Sequence, residues 1–330
     1  FDYSTPINEP TEQRFITRHR LHKKTPHAAK SEAVEPIVYY LAPGIPEPVM
    51  TALKEGASWW NQAYEAAGYK DAFQVKVLPE GADPMDVRYN VINWVHRATR
   101  GWSYGSSVVD PRTGEIIKGH VTLGSLRVRQ DYLIALGLTS PFKEGNTDTT
   151  VQQEMALDRI RQLSAHEVGH TLGIAHNFAA SENNRASVMD YPHPKISIKN
   201  GKISLESAYD KGIGAWDIHA VAYGYQDFAS DVEEAEALAK IIVKGRNEGL
   251  SFKSDPDTRS SRHASANGHM WENGSNPLDA FDEISQVREQ ALANLGLDTL
   301  SPSSSLSSLE NALVPIYLLH RYQLEAVAKQ

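Results

Sequence analysis

Residues 166–177 read His-Glu-Val-Gly-His-Thr-Leu-Gly-Ile-Ala-His-Asn, and no other stretch of the chain restricts its fold so tightly. On an α-helix, His166 and His170 lie four residues and about 40° of azimuth apart, so both imidazoles face one point. A helix continuing to His176 would carry that side chain about 15 Å along the axis from His166, far from a shared ligand. A site built from all three therefore needs the helix to end and the chain to turn back. Gly173 lies in the required interval, and glycine takes the left-handed conformation that ends a helix without a Cβ penalty. The fold must put a helix end, not a helix middle, at this place.

Composition says what such a site can hold. The 330 residues contain 13 histidines and no cysteine, which excludes disulfides, thiol nucleophiles and thiolate metal ligands together. Any metal must be held by His, Asp or Glu. Two neutral histidines at this spacing form two legs of a tetrahedral zinc site, with His176 as the third. Glu167 is rotated about 100° from His166, too far round to be a natural ligand but well placed beside a water in the open position. Its chemical task there is general base, toward a water whose pKa zinc lowers from about 15.7 to about 7. The HExxH core alone would arise by chance with a probability of roughly 0.03–0.04, and the full pattern with roughly 10⁻⁴.

The rest of the chain reads as a soluble, globular protein. With 41 acidic and 33 basic residues, the net charge of −8 argues against a nucleic-acid partner. No apolar run approaches the roughly 18 residues of a membrane span. A length of 330 residues exceeds what one core comfortably serves, so two lobes are expected. Residues 1–30 read as an extended, locally basic arm. Apolar runs predict strands at 36–41, 73–78, 87–95, 104–109 and 116–123, with a helix at 47–68 ended by Gly68 and a turn at 110–114. A long helix runs from about 150 through His170. The order β-α-β-β-β-β-α predicts a mixed five-stranded twisted sheet with packed helices, an α+β fold. Beyond 177 strand signals fade, leaving helices at 217–224, 232–244, 279–295 and 306–329 and a polar loop at 255–276. The expected division is an arm at 1–30, an upper α/β lobe at 31–176 and a lower, mostly helical lobe at 177–330.

The pattern H-E-x-x-H-x-x-G-x-x-H resembles the signature of the metzincin clan of zinc metalloproteases. That resemblance implies a methionine in a tight turn under the metal, and Met189 in Ser187-Val188-Met189-Asp190-Tyr191-Pro192 takes that place. It also implies a role for Tyr191, two residues on, which in some metzincins ligates zinc and swings away to bind the tetrahedral intermediate; a buried aromatic with a bonded hydroxyl is the alternative. The segments PIVYYLAPGIPEPV, EGASWWNQAYEAAGYKDAF, DPRTGEIIKGHVTLGS and HEVGHTLGIAHNF resemble a family of large bacterial exported metzincin-like proteases. This implies a zinc endopeptidase acting outside the cytoplasm on protein or peptide, with a backing helix, an active-site helix and a cleft bordered by the strand at 104–110. A first residue of Phe1 fits a processed or excised chain.

Two other functions use the same residues: a catalytically inactive module that keeps zinc for stability, and a zinc hydrolase of a non-protein amide. His96, His120, His193 and His219 are expected to be packing or surface residues, His193 close enough to Met189 to approach the cleft. His263 and His269, in the polar loop, are expected to be solvated. Asp255 and Asp257 of that loop offer calcium-binding groups, although their spacing matches no known calcium loop. Trp59 and Trp60 read as a helix face against the sheet. Asn273-Gly274-Ser275 is a glycosylation sequon only in a eukaryotic source.

Overall fold

The structure is a computed structural model that describes residues 2–12, 14–97, 102–228, 231–259 and 265–330. Two short strands flank the first α/β unit, β1 (Ser31–Glu32) and, after it, β3 (Tyr69–Lys70), which pair in parallel. Between them lie β2 (Ile37–Leu41), α1 (Val49–Ser58) and α2 (Trp60–Ala66). In β2 alternate residues Ile37, Tyr39 and Leu41 are buried, as a strand period requires. The helix expected at 47–68 is thus two helices meeting at Trp59. Trp60 is fully buried and donates its Nε1–H to the Ala165 carbonyl at 2.8 Å, so it packs on the helix that carries Ala165 rather than simply on the sheet.

β4 (Phe73–Val77), β5 (Asn90–Val95), β6 (Tyr104–Val109) and β7 (Ile116–Gly124) complete the main sheet. Its order is β4-β2-β5-β7-β6, with every pairing parallel except the last. This is the mixed five-stranded sheet anticipated, and β6 is its antiparallel edge. Two helices follow, α3 (Leu126–Thr139) and α4 (Thr150–Thr171). No element was expected at 126–139. That sequence shows no single apolar face because α3 packs against α4 on one side and the C-terminal helices on the other.

Beyond residue 177, strand signals were expected to fade, yet β8 (Ser197–Lys199) and β9 (Lys202–Ser204) form a hairpin. Asn200 and Gly201 both have positive φ, 52° and 74°, the geometry of a type I′ turn that Asn-Gly favours. Then come α5 (Ala215–Tyr225), α6 (Asp231–Asn247), α7 (Asp255–Thr258), α8 (Pro277–Asn294), α9 (Leu309–Tyr317) and α10 (Arg321–Val327). The single helix expected at 306–329 is therefore divided, and the loop expected from 255 opens with a helical turn. Among the described residues no helix is long and apolar enough to cross a membrane.

Two apolar cores hold this together. One gathers β2, α1, α2, the main sheet and the end of α4 with Met189 and Val221; the other joins Ala135 and Met155 to Ile284, Val287 and Ile316. Each core draws on residues from both sides of 177. The arm packs against the first of them, which includes its Leu21. The Arg18 backbone pairs beside Glu115, its amide donating to the Gly114 carbonyl at 3.1 Å and its carbonyl accepting from Ile116 at 2.7 Å. Buried His19 places its Nε2 3.2 Å from both Tyr39 Oη and the Thr171 carbonyl.

Candidate metal centre

The C-terminal half of α4 is buried on almost every side, so its backbone is fixed by packing. β6 lies against it so closely that a Cβ on Gly105 would sit 2.0 Å from the Glu167 carbonyl oxygen. Only a residue without a side chain permits that approach. The helix then ends as the histidine spacing requires. Ile174 N–H reaches the Gly169 carbonyl at 3.1 Å and Gly173 N–H that of His170 at 3.1 Å, with Gly173 at φ +90°. These two bonds define a Schellman motif around a left-handed residue. The arm closes over the turn: a Cβ on Gly173 would lie 1.9 Å from the Thr17 carbonyl oxygen.

The turn brings His176 back to the helix. Ligand atoms of His166, His170 and His176 all lie within 4.8 Å of one another. Nε2 of His170 stands 3.2 Å from that of His166 and 3.1 Å from that of His176. Each ring's other nitrogen has an acceptor. Nδ1–H of His166 donates to the Val188 carbonyl at 2.8 Å, that of His170 to the Ile174 carbonyl at 2.9 Å and that of His176 to Asp255 Oδ2 at 2.6 Å. Burial holds all three imidazole pKa values below the ordinary 6.5, His170 at about 4; the neighbouring rings add to this at His166 and His170, whereas at His176 the Asp255 carboxylate opposes it. Neutral rings protonated at Nδ1 aim three Nε2 lone pairs at one another. Such a cluster is unfavourable alone and suits a cation between the rings. Nitrogens around a tetrahedral zinc would stand about 3.3 Å apart, close to the spacing observed, so the donor set fits the metal.

Glu167 is buried beside this cluster and lines the same cleft of about 470 Å³, which Thr17, Ser106, Val109 and Tyr191 also border. Burial raises its pKa to about 7, while the charge of Arg159 and a hydrogen bond from the Gly105 backbone pull it back down. Met189 is fully buried under α4, where a Cβ on Gly169 would be 2.3 Å from its Sδ. Its neighbours are fixed by buried Asp217, which accepts from Ser187 Oγ at 2.6 Å and from the Val188 and Gly214 amides at 2.9 and 2.8 Å. Tyr191 has its ring centroid 4.6 Å from that of His176, and its hydroxyl accepts from Arg259 at 3.1 Å. Burial raises the phenol's pKa against the opposing charge of Arg259.

Sequence reasoning missed Asp255 and Arg259. Asp255, which the sequence offers as a calcium-binding group, faces His176 and pairs with Arg259 on the next turn. Ser254 and Asp257 form a capping box around Pro256, a helix-start pattern legible in Ser-Asp-Pro-Asp. His269, expected to be solvated, is buried, with its backbone amide 2.9 Å from Glu272 Oε1. His193 is buried as a packing residue near Asn273. His96 and His219 are local contacts of Ser125 and Trp216, and His120 of Asn93. His263 lies outside the described residues.

Residues 148–330, more than half of the chain, match a family model described as Met-zincin. The matched region starts just before α4 and includes all three histidines, the Met189 turn and Asp255. No curated protein and no solved structure matches the chain.

Proposed function

The chain belongs to the Met-zincin family, and from that premise we propose that it is a zinc-dependent endopeptidase. In this reading His166, His170 and His176 hold zinc through their Nε2 atoms. Zinc bound there supplies Lewis acidity, polarising a scissile carbonyl and acidifying a water. Glu167 takes the proton from the attacking water at its carboxylate and delivers it to the leaving amine nitrogen as the C–N bond breaks. Its place supports this, because a buried carboxylate on the wall of the cleft that the three imidazoles line stands next to where a metal-bound water would sit. Met189 is the apolar floor under the helix. Tyr191 lines the cleft, and its hydroxyl, held by Arg259, serves the reacting carbonyl or the metal.

β6 supports the substrate class. It is one of the two edge strands of the sheet, its residues Tyr104 and Val108 are exposed, and it runs along the cleft beside Glu167. An extended peptide adding to this edge would pass the three imidazoles. The lobes at 31–176 and 177–330 are then the two walls of the cleft, tied by cores that both share. Action outside the cytoplasm is part of the same proposal.

The observation that carries the reading is the convergence of three Nε2 lone pairs next to a buried glutamate on a cleft wall. The expected result is one zinc per chain and chelator-sensitive cleavage of an unfolded protein. Glu167→Gln should keep the metal and lose cleavage by about 10²–10⁴-fold. Undiminished cleavage by that variant would remove Glu167 from the mechanism. Zinc without cleavage of any protein or cell-wall amide would favour the inactive module.

A further inference from the structure

His166 and His170 find their Nδ1 acceptors in backbone carbonyls that the helix and its neighbours supply. His176 alone of the three depends on a side chain, the carboxylate of Asp255, which lies 79 residues downstream. The approach of that carboxylate is built. Asn177, fully buried, donates to the Ser251 carbonyl at 2.9 Å and accepts from the Lys253 amide at 3.1 Å. The Phe178 amide donates to the Lys253 carbonyl at 2.8 Å. Residues 251–253 are thus laced to 177–178 immediately after the third histidine, and α7 begins with its first carboxylate against Nδ1. Arg259, one turn further, grips the other oxygen of Asp255 and reaches the Tyr191 hydroxyl.

We propose that residues 251–255 form a strap whose function is to position the third zinc ligand, with Asp255 as the positioning residue. This rests on the zinc reading of the site and adds what that reading lacks, a cause for the orientation of His176. A neutral imidazole carries its proton on either nitrogen, and only the form protonated at Nδ1 presents Nε2 to a metal. A carboxylate acceptor fixes that form, holds the ring plane and makes Nε2 a better donor; loss of such a partner typically weakens metal binding about 10–100-fold.

The test is zinc affinity of the whole chain, measured by competition with a chromophoric chelator, together with the melting temperature of the metal-free protein. Asp255→Ala should bind zinc 10–100-fold more weakly with its metal-free melting temperature unchanged. Asp255→Asn keeps an acceptor oxygen and the shape but not the charge, and should fall between Ala and wild type. With cobalt(II) in place of zinc, Asp255→Ala should also show an altered visible spectrum. Zinc affinity within threefold of wild type in the Ala variant overturns the proposal. Where the Ala variant unfolds, the isosteric Asn variant decides by the same threefold criterion. A wild-type chain that takes up no zinc would overturn the zinc reading itself, and is told apart because every variant then behaves alike.

Discussion

The two sides of the candidate metal centre are built by opposite means. On one side, α4 carries His166, Glu167 and His170 on a backbone packed between sheet, helices and arm, and the ring partners are carbonyls of residues 188 and 174. On the other side, His176, Met189 and Tyr191 sit on irregular chain, fixed by the side chains of Asp217, Asn177, Asp255 and Arg259. A backbone acceptor survives any change of its own side chain, whereas a carboxylate is lost in one substitution. The helix side should therefore resist substitution of its own acceptor residues, Val188 and Ile174, by side chains of similar size, and the irregular side should be sensitive to single polar deletions.

The sharpest way to break this contrast is Asp217→Ala. It orphans the Ser187 hydroxyl and the Val188 and Gly214 amides in a buried place, for an expected loss of about 4 kcal/mol in urea unfolding. A loss below 1 kcal/mol would mean that the Met189 turn stands without its carboxylate. Gly105→Ala attacks the helix side by the one means available, a Cβ 2.0 Å from the Glu167 carbonyl. Here about 3 kcal/mol should be lost as β6 lifts from α4, and an unchanged melting temperature would show that the strand gives way freely.

That asymmetry also decided what could be read from the sequence. The helix side is local: periodicity, the HExxH spacing and Gly173 all fall within one helix and its end, and the histidine spacing alone demanded the turn found there. The main sheet was legible for the same reason, since β2 is a short run of β-formers closed by Pro43-Gly44 and β6 and β7 flank a turn set by Pro111 and Gly114. The irregular side is assembled over long separations. Nothing at position 255 announces His176, and the helix-start signal in Ser254–Asp257 fixes a local shape but no partner. α3 escaped because a helix packed on two sides has no polar face to betray its period. The β8–β9 turn carried the Asn200-Gly201 signal, but its flanking strands have only three residues each.

The smallest expected effect concerns the arm. Burial holds His19 neutral in the fold, with a pKa lowered to about 4 from 6.5. Between those values the unfolded chain binds the proton and the folded one does not, so stability present above pH 6.5 is lost as pH falls toward 4. His19→Gln cannot titrate. Its stability should fall less steeply near pH 5, by about 1 kcal/mol per pH unit, in chemical denaturation at a series of pH values. Parallel slopes for variant and wild type would mean that His19 is solvated when folded.

The contact between the Thr17 carbonyl and Gly173 sets a practical limit on engineering the chain. A shortened version that begins after residue 19 would keep every proposed ligand, yet it would leave bare the glycine turn that returns His176 to the helix. It would also expose the Thr171 carbonyl that His19 faces. Trimming from the front should therefore stop ahead of Thr17, and any fusion partner or tag belongs upstream of that residue, where its linker cannot draw the arm out of its seat.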